Sequence, residues 1–296
     1  MKVIYFAKIK QENSDLTEDH IHFAFEKLGH EVKRINESNW NRVELINEMK
    51  DADLFLFHKA GIETQYSFSR FLEALSIVTC PKVCWYFDKV WGDREVIMTT
   101  ILPFIDKAFL TDETWIRRNP NPRLGILRQG IGSENTELGV FKKELETEIA
   151  FVGQVYGDRE KFVKELKDKY GSKFRVFGNI FNRDLYDLMA STKIVVAPNS
   201  PSDDFYWSSR VYMILGSGGF LLHPKAEGLK EEFEDKKHLV YYKDFEDLCK
   251  KIDFYLKNPK KREEIRMAGY KKCIESFTYL KRCEILLMKL NFGKTE

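Results

Sequence analysis

The sequence predicts an α/β protein made of two doubly wound parallel sheets in series. Short apolar runs alternate with amphipathic stretches from one end to the other. The alternation breaks once, over a charged and weakly periodic segment at residues 133–148, and then restarts. At 296 residues the chain is long enough for two domains of about 150 residues each. Parallel neighbours require crossover connections, so strands separated by helices imply parallel sheets.

In the first half, residues 3–7, 31–35, 54–57, 82–87, 107–110 and 124–127 read as strands. Residues 16–28, 42–49, 67–78 and 94–102 carry helical spacing between them. In the second half the strands are 148–152, 174–177, 194–197, 220–222 and 239–242. The helices there are 158–170, 183–191, 208–215 and 245–256, followed by helices at 260–276 and 279–290. The expected division is 1–142 for the first domain and 143–276 for the second. A tail at 277–296 has apolar residues that must pack somewhere, back on the first domain being one place.

Composition excludes some classes of function. The net charge is +2, and neither half is strongly basic: residues 1–144 hold 20 basic and 22 acidic residues, leaving 28 and 24 for the rest. That weighs against a body built to lie on nucleic acid. With 23 Phe, 13 Tyr and 5 Trp there is ample material for two buried cores. The five cysteines are odd in number and scattered, the pattern of reduced core thiols. The apolar run at the N-terminus is too short for a signal peptide, and no run is long enough to span a membrane. A cytoplasmic location is the expectation.

Ligands of doubly wound sheets bind beyond the carboxyl ends of the strands. Gly153 and Arg159 lie in the turn and helix start after the strand at 148–152, where free N–H groups suit a diphosphate. The loop at 198–210 is longer than a connection needs and holds Asp203, Asp204, Ser208, Ser209 and Arg210. Ser208 is the expected N-cap, and Ser209 with a forked Arg210 could hold a phosphate. The turn Gly216-Ser217-Gly218-Gly219 follows. A helix that turns straight into a strand explains one or two glycines, and the remainder suggest tight packing or a ligand lying over the turn. In the first domain Asp88, Asp112 and His58 (with Lys59 and Gly61 after it) end strands, and each also has a structural reading as cap, turn former or core imidazole. Among known motifs, no HExxH, Walker lysine loop, nucleophile elbow or metal cluster is present, so no metal ligands are assigned.

Ser209-Arg210-Val-Tyr212 through Gly216–Leu222, Gly228–Phe233 and Leu239–Asp244 resemble the C-terminal half of the CgeB-like glycosyltransferases, relatives of group 1 glycosyltransferases with the GT-B fold. Tyr255–Arg262, Ala268-Gly269-Tyr270, Phe277-Thr-Tyr279 and Arg282 continue the likeness, which covers residues 148–290 best. The resemblance implies two Rossmann-like domains facing across a cleft and a metal-independent, retaining transfer. No prosthetic group is implied. The donor would be a nucleotide-diphosphate sugar, with a UDP-sugar as the first expectation, held mainly by the second domain. The acceptor, a glycan, protein, small molecule or (ranked last) DNA, would sit on the first. Carried over, Gly153, Arg159 and Arg210 would lie on the diphosphate, Gly218 and Gly219 would pass close to the donor, and Asp203 or Asp204 would touch the sugar. Relatives carry Glu where this chain has Met213, and Met accepts essentially no hydrogen bond from a ribose. If the reaction inverts, Asp88 and then His58 are the candidate bases. Two alternatives stand beside this: a bilobal nucleotide- or sugar-binding protein without catalysis, favoured by Met213, and a nucleic-acid glycosyltransferase, favoured by Arg117, Arg118, Arg123 and Arg128.

Overall fold

The computed structural model describes residues 1–9, 16–58, 65–134, 137–199 and 203–291. Two units emerge: Met1–Gln129 with Tyr279–Glu296, and Gly130–Thr278.

The first unit runs β1 (Lys2–Ala7), α1 (Thr17–Lys27), β2 (Glu31–Asn36), α2 (Arg42–Lys50), β3 (Leu54–Phe57), α3 (Gln65–Ile77), β4 (Lys82–Tyr86), α4 (Asp93–Ile101), β5 (Lys107–Leu110), α5 (Glu113–Arg118) and β6 (Leu124–Ile126). Its six strands are ordered β2-β1-β3-β4-β5-β6, every pairing parallel. β3, β4 and most of β1 are buried on both faces, which is why they read as unbroken apolar runs rather than alternating ones. One face packs on α2, α3 and α4 through residues such as Leu45, Phe71 and Met98.

The second unit runs β7 (Thr147–Val152), α6 (Asp158–Tyr170), β8 (Phe174–Phe177), α7 (Asn182–Ser191), β9 (Thr192–Val196), α8 (Arg210–Gly216), β10 (Leu221–Pro224), α9 (Leu229–Glu232), β11 (Val240–Tyr242), α10 (Phe245–Lys257) and α11 (Pro259–Ser276). Its five strands are ordered β11-β10-β9-β7-β8, again all parallel. The turn from β7 to β9 through β8 reverses the strand order, so the carboxyl ends of β7 and β9 flank a topological switch point.

Two boundaries differ from the sequence expectation. The segment expected to link the domains is instead a strap on the second unit. Val140 N–H donates to Asp187 Oδ1 at 2.8 Å, Lys142 N–H donates to Ser191 Oγ at 2.8 Å, and Lys142 Nζ pairs with Asp187 Oδ2 at 2.8 Å. Asp187 is buried, and the lysine holds its carboxyl below the usual carboxylate range. The division therefore falls at residue 129 rather than 142. At the other end, Ile131 N–H donates to Phe277 O at 3.0 Å, so the chain enters and leaves the second unit side by side. The tail, α12 (Tyr279–Lys289), belongs to the first unit: Tyr279, Cys283, Leu286 and Leu287 share an apolar cluster with β1, β3, β4 and α1. All five cysteines are buried, and none is in a disulfide. No described helix is long and apolar enough to cross a membrane.

Candidate functional site

β7 ends at Val152, and Gly153 follows with φ +131°, a backbone conformation that side chains rarely adopt. A Cβ there would stand 3.0 Å from Arg210 Nη1, so the glycine makes room for that guanidinium. Arg210 opens α8, and its side chain donates to Pro198 O at 3.1 Å, Ser208 Oγ at 3.3 Å and Val152 O at 3.4 Å. All three partners are neutral. Arg159, in the first turn of α6, is buried; its Nη1 donates to Gln154 O at 3.2 Å and its guanidinium lies 4.6 Å from the Tyr156 ring centre.

Neither arginine forms an ion pair among the described residues. Burial pushes the Arg210 pKa down to about 10, and the charge of Arg159 pushes it the same way. Arg159 Nε is buried with no hydrogen-bond partner. The phenol of Tyr242, at the end of β11, is in the same state: Oη is buried and unpartnered, and burial raises its pKa. His223 in β10 is 1% exposed; its Nδ1–H donates to Pro224 O at 2.7 Å. Burial first, then the Arg210 charge, lowers its pKa to about 4, so the ring is neutral at physiological pH. Two cations without counter-charge and two unsatisfied polar atoms at one sheet edge form a site that lacks an anion.

The structure brings Gly153, Arg159, Ser208 and Arg210 together at this sheet edge. Ser208 is not the expected N-cap: α8 begins two residues later, the preceding residue Ser209 has helical backbone and no side-chain capping bond, and the Ser208 hydroxyl serves the Arg210 side chain instead. Asp203 Oδ1 accepts from Phe205 N–H at 2.8 Å, closing a local turn. Asp204 O accepts from Gly228 N–H at 2.9 Å, tying its loop to the start of α9. Ser200, Pro201 and Ser202 lie outside the described residues, as do Lys59 and Gly61. Met213 is half-buried against the apolar cluster of its unit.

Gly218 and Gly219 require a correction. They cap the C-terminus of α8, at the opposite end of that helix from Arg210, and lead into the start of β10. Gly219 N–H donates to Ile214 O at 2.8 Å and Gly218 N–H to Leu215 O at 3.0 Å, the paired bonds of a Schellman cap. Gly218 has φ +80°, and a Cβ on it would meet Leu138 at 2.5 Å; one on Gly219 would meet Met189 Sδ at 2.6 Å.

The sequence reading missed His223 and Tyr242, which hide inside apolar strand runs. Their signal is a polar group on the last residues of a parallel strand. A cavity of about 510 Å³ opens beyond β8, lined in part by Lys142, Phe177, Asn179, Ile180 and Asp184. Gln154 Nε2 donates to Asn179 Oδ1 at 2.7 Å and to Gly178 O at 3.1 Å, so the loops after β7 and β8 are tied together.

In the first unit His58 is 3% exposed. Its Nδ1–H donates to Trp85 O at 2.7 Å, and its Nε2 is bonded to the Tyr5 hydroxyl. With both nitrogens occupied, it is a core imidazole and has no lone pair for an acceptor proton. Asp112 is buried and accepts from Trp115 N–H at 3.1 Å and Val90 N–H at 2.9 Å, capping α5 and pinning a loop. Asp88 is half-buried and faces Arg94 Nη2 at 3.5 Å. Three of the local arginines have internal partners: Arg117 pairs with Glu113, Arg123 donates to Leu102 O at 2.7 Å, and Arg128 is buried on Glu113 and Thr111 O.

Comparison with known proteins agrees with this geometry. Residues 159–288 match the model of a glycosyl transferase-like family. Among curated proteins, none matches. The solved structure of HepE from Anabaena in complex with UDP and glucose is similar at TM-score 0.67 and 12% identity, over 98% of this chain and 99% of that one. An alpha-glucosyltransferase in complex with UDP-glucose and DNA containing an abasic site is similar at TM-score 0.68 and 11% identity, over 99% and 98%. A glycosyltransferase from Rickettsia africae is similar at TM-score 0.64 and 10% identity, over 100% and 99%. The chain has the GT-B fold, and its glycosyl transferase-like region covers most of the second unit and runs on into α12.

Proposed function

We propose that the chain is a glycosyltransferase that takes its sugar from a nucleotide-diphosphate donor held by the second unit. The observation that carries this reading is the pair of uncompensated arginines, Arg159 and Arg210, at the carboxyl edge of the five-stranded sheet. A diphosphate supplies the charge they lack and acceptors for Arg159 Nε and Tyr242 Oη. UDP is the favoured nucleotide, because the similar HepE and alpha-glucosyltransferase structures hold UDP or UDP-glucose. The cavity beyond β8 has the size of a small-ligand pocket and would take the nucleoside end.

As the bond from the sugar C1 to the phosphate oxygen breaks, negative charge gathers on the leaving diphosphate. Two guanidiniums without counter-charge, Arg210 already destabilised by burial, gain most at that moment. We assign them the charge stabilisation, with no metal ion called for. Retention of configuration goes with this reading, and the acceptor hydroxyl would come from the first unit, where Asp88 remains the carboxylate at a strand end. Asp203 and Asp204 have structural partners that leave room for a sugar contact, and the likeness to CgeB-like proteins rests on the run from Ser209 to Leu222. A cytoplasmic setting suits five buried thiols.

Calorimetry with UDP, GDP, ADP and dTDP tests the reading. UDP should bind wild type and fail on Arg159→Gln. Equal binding of UDP to the two proteins would remove the arginines from the donor site.

A further inference from the structure

Four of the five tryptophans lie in the cores: Trp85, Trp115 and Trp207 are at most 4% exposed, and Trp40 packs against the first-unit cluster. Trp91 is 60% exposed. It stands in the loop between β4 and α4, beyond the carboxyl edge of the six-stranded sheet, where ligands of such sheets bind.

The loop that presents it is held at both ends. Thr111 Oγ1 donates to Phe87 O at 2.6 Å. Val90, the neighbour of Trp91, is buried in the core and donates its N–H to Asp112 Oδ2 at 2.9 Å. On the other side Arg94 N–H donates to Trp91 O at 3.2 Å and Glu95 N–H to Gly92 O at 2.9 Å. Glu95 in turn accepts from Trp115 Nε1 at 3.0 Å. A large flat ring is therefore displayed in water on a fixed backbone, a surface that binds at small entropic cost.

We infer that Trp91 is the stacking platform for the acceptor, and that the acceptor is a neutral saccharide. The inference rests on the glycosyltransferase reading. An indole face covers the apolar C–H face of a pyranose, while polar groups beside it serve the hydroxyls. The Asp88–Arg94 pair, half exposed and 3.5 Å apart, supplies both an acceptor and donors next to the ring. Charge decides against a nucleic acid. Around Trp91 the sequence holds Asp88, Lys89, Asp93, Arg94 and Glu95, three acidic groups against two basic ones. No net positive charge meets a phosphate backbone there, and of the arginines at 117–128, Arg117, Arg123 and Arg128 are already engaged.

Because Trp91 is the exposed tryptophan, acrylamide quenching of intrinsic fluorescence reports on it directly. The probes are maltotriose, cellotriose, laminaritriose, chitotriose and a short DNA duplex, each tested for protection of wild type by quenching and for affinity by calorimetry on wild type, Trp91→Phe and Trp91→Ala, with and without UDP. At least one trisaccharide should protect wild type from quenching. Its affinity should fall about tenfold or more in Trp91→Ala and much less in Trp91→Phe, as for a binding hot spot. UDP affinity should be the same in all three proteins. Protection by the duplex alone, by none of the probes, or a trisaccharide affinity unmoved by Trp91→Ala overturns the inference. Loss of UDP binding by wild type would instead strike the donor reading, and the two failures are read out separately.

Discussion

Replacing Arg210 by Met should destroy donor binding and yet leave the free protein about as stable as before. The two effects come from one cause. Depression of the Arg210 pKa to about 10, well below the ordinary guanidinium range, makes the charged form unfavourable by roughly 3 kcal/mol. Against that stand three hydrogen bonds to neutral oxygens at 3.1–3.4 Å, worth roughly 0.5–1.5 kcal/mol each. The net change for the empty protein therefore lies between a loss of about 1.5 kcal/mol and a gain of about 1.5 kcal/mol. Met fills most of the side-chain volume, so little cavity is left behind. The assay is thermal unfolding with and without UDP. Wild type at a ligand concentration a hundred times the dissociation constant gains about 2.7 kcal/mol, a few degrees in Tm for a unit of this size. Arg210→Met should show no such gain, with a free-state stability within about 1.5 kcal/mol of wild type. A drop of more than about 2 kcal/mol in the free protein would refute the reasoning, because it would make Arg210 a structural group satisfied by its three oxygens.

Four further expectations follow from the same geometry. Gly218→Ala should cost stability, because φ +80° and a Cβ contact at 2.5 Å with Leu138 both oppose it, while UDP affinity by calorimetry stays within about twofold. A selective loss of UDP binding would return that turn to the donor site. His223 imposes an acid limit. Its folded pKa of about 4 lies below the ordinary 6.5, so the unfolded chain takes up the proton first as pH falls. Stability is full above pH 6.5 and declines by roughly 3 kcal/mol by pH 4. Urea melts of His223→Gln across that range should lose this slope, and an unchanged slope would remove the histidine as its source. His58→Ala should destabilise the first unit by about 1–3 kcal/mol, since it leaves the buried Tyr5 hydroxyl and Trp85 carbonyl without partners. Rates corrected for folded fraction should change little, and a large fall in kcat would restore it as a base. Deleting residues 279–296 should unfold the first unit while the second melts as before, which two-domain calorimetry separates.

The fold was legible because each buried parallel strand is an apolar run and each crossover keeps helical spacing. The exceptions are short. α5 spans only Glu113–Arg118 and α9 only Leu229–Glu232, too few residues for a period to show. Arg159, Arg210 and Gly153 could be found because strand ends in such sheets are where ligands sit. Gly218 and Gly219 were misread because a glycine needed for a Schellman cap looks the same in sequence as one needed for a ligand. Ser208 was misread as a cap because capping chemistry fixes a helix start only to within a residue or two. His223 and Tyr242 were invisible because burial without a partner is a property of three dimensions.

The neighbouring passage of the chain at Ile131 and Thr278 has a consequence for synthesis. The second unit is an insertion within the first, so all of its residues leave the ribosome before the last helix of the first unit exists. β1 and its sheet must wait, with the flank that α12 will cover still open, while the younger part of the chain finishes. The unit that begins the protein is the one completed last, and the interval in which its apolar flank is bare is set by the time taken to translate everything between.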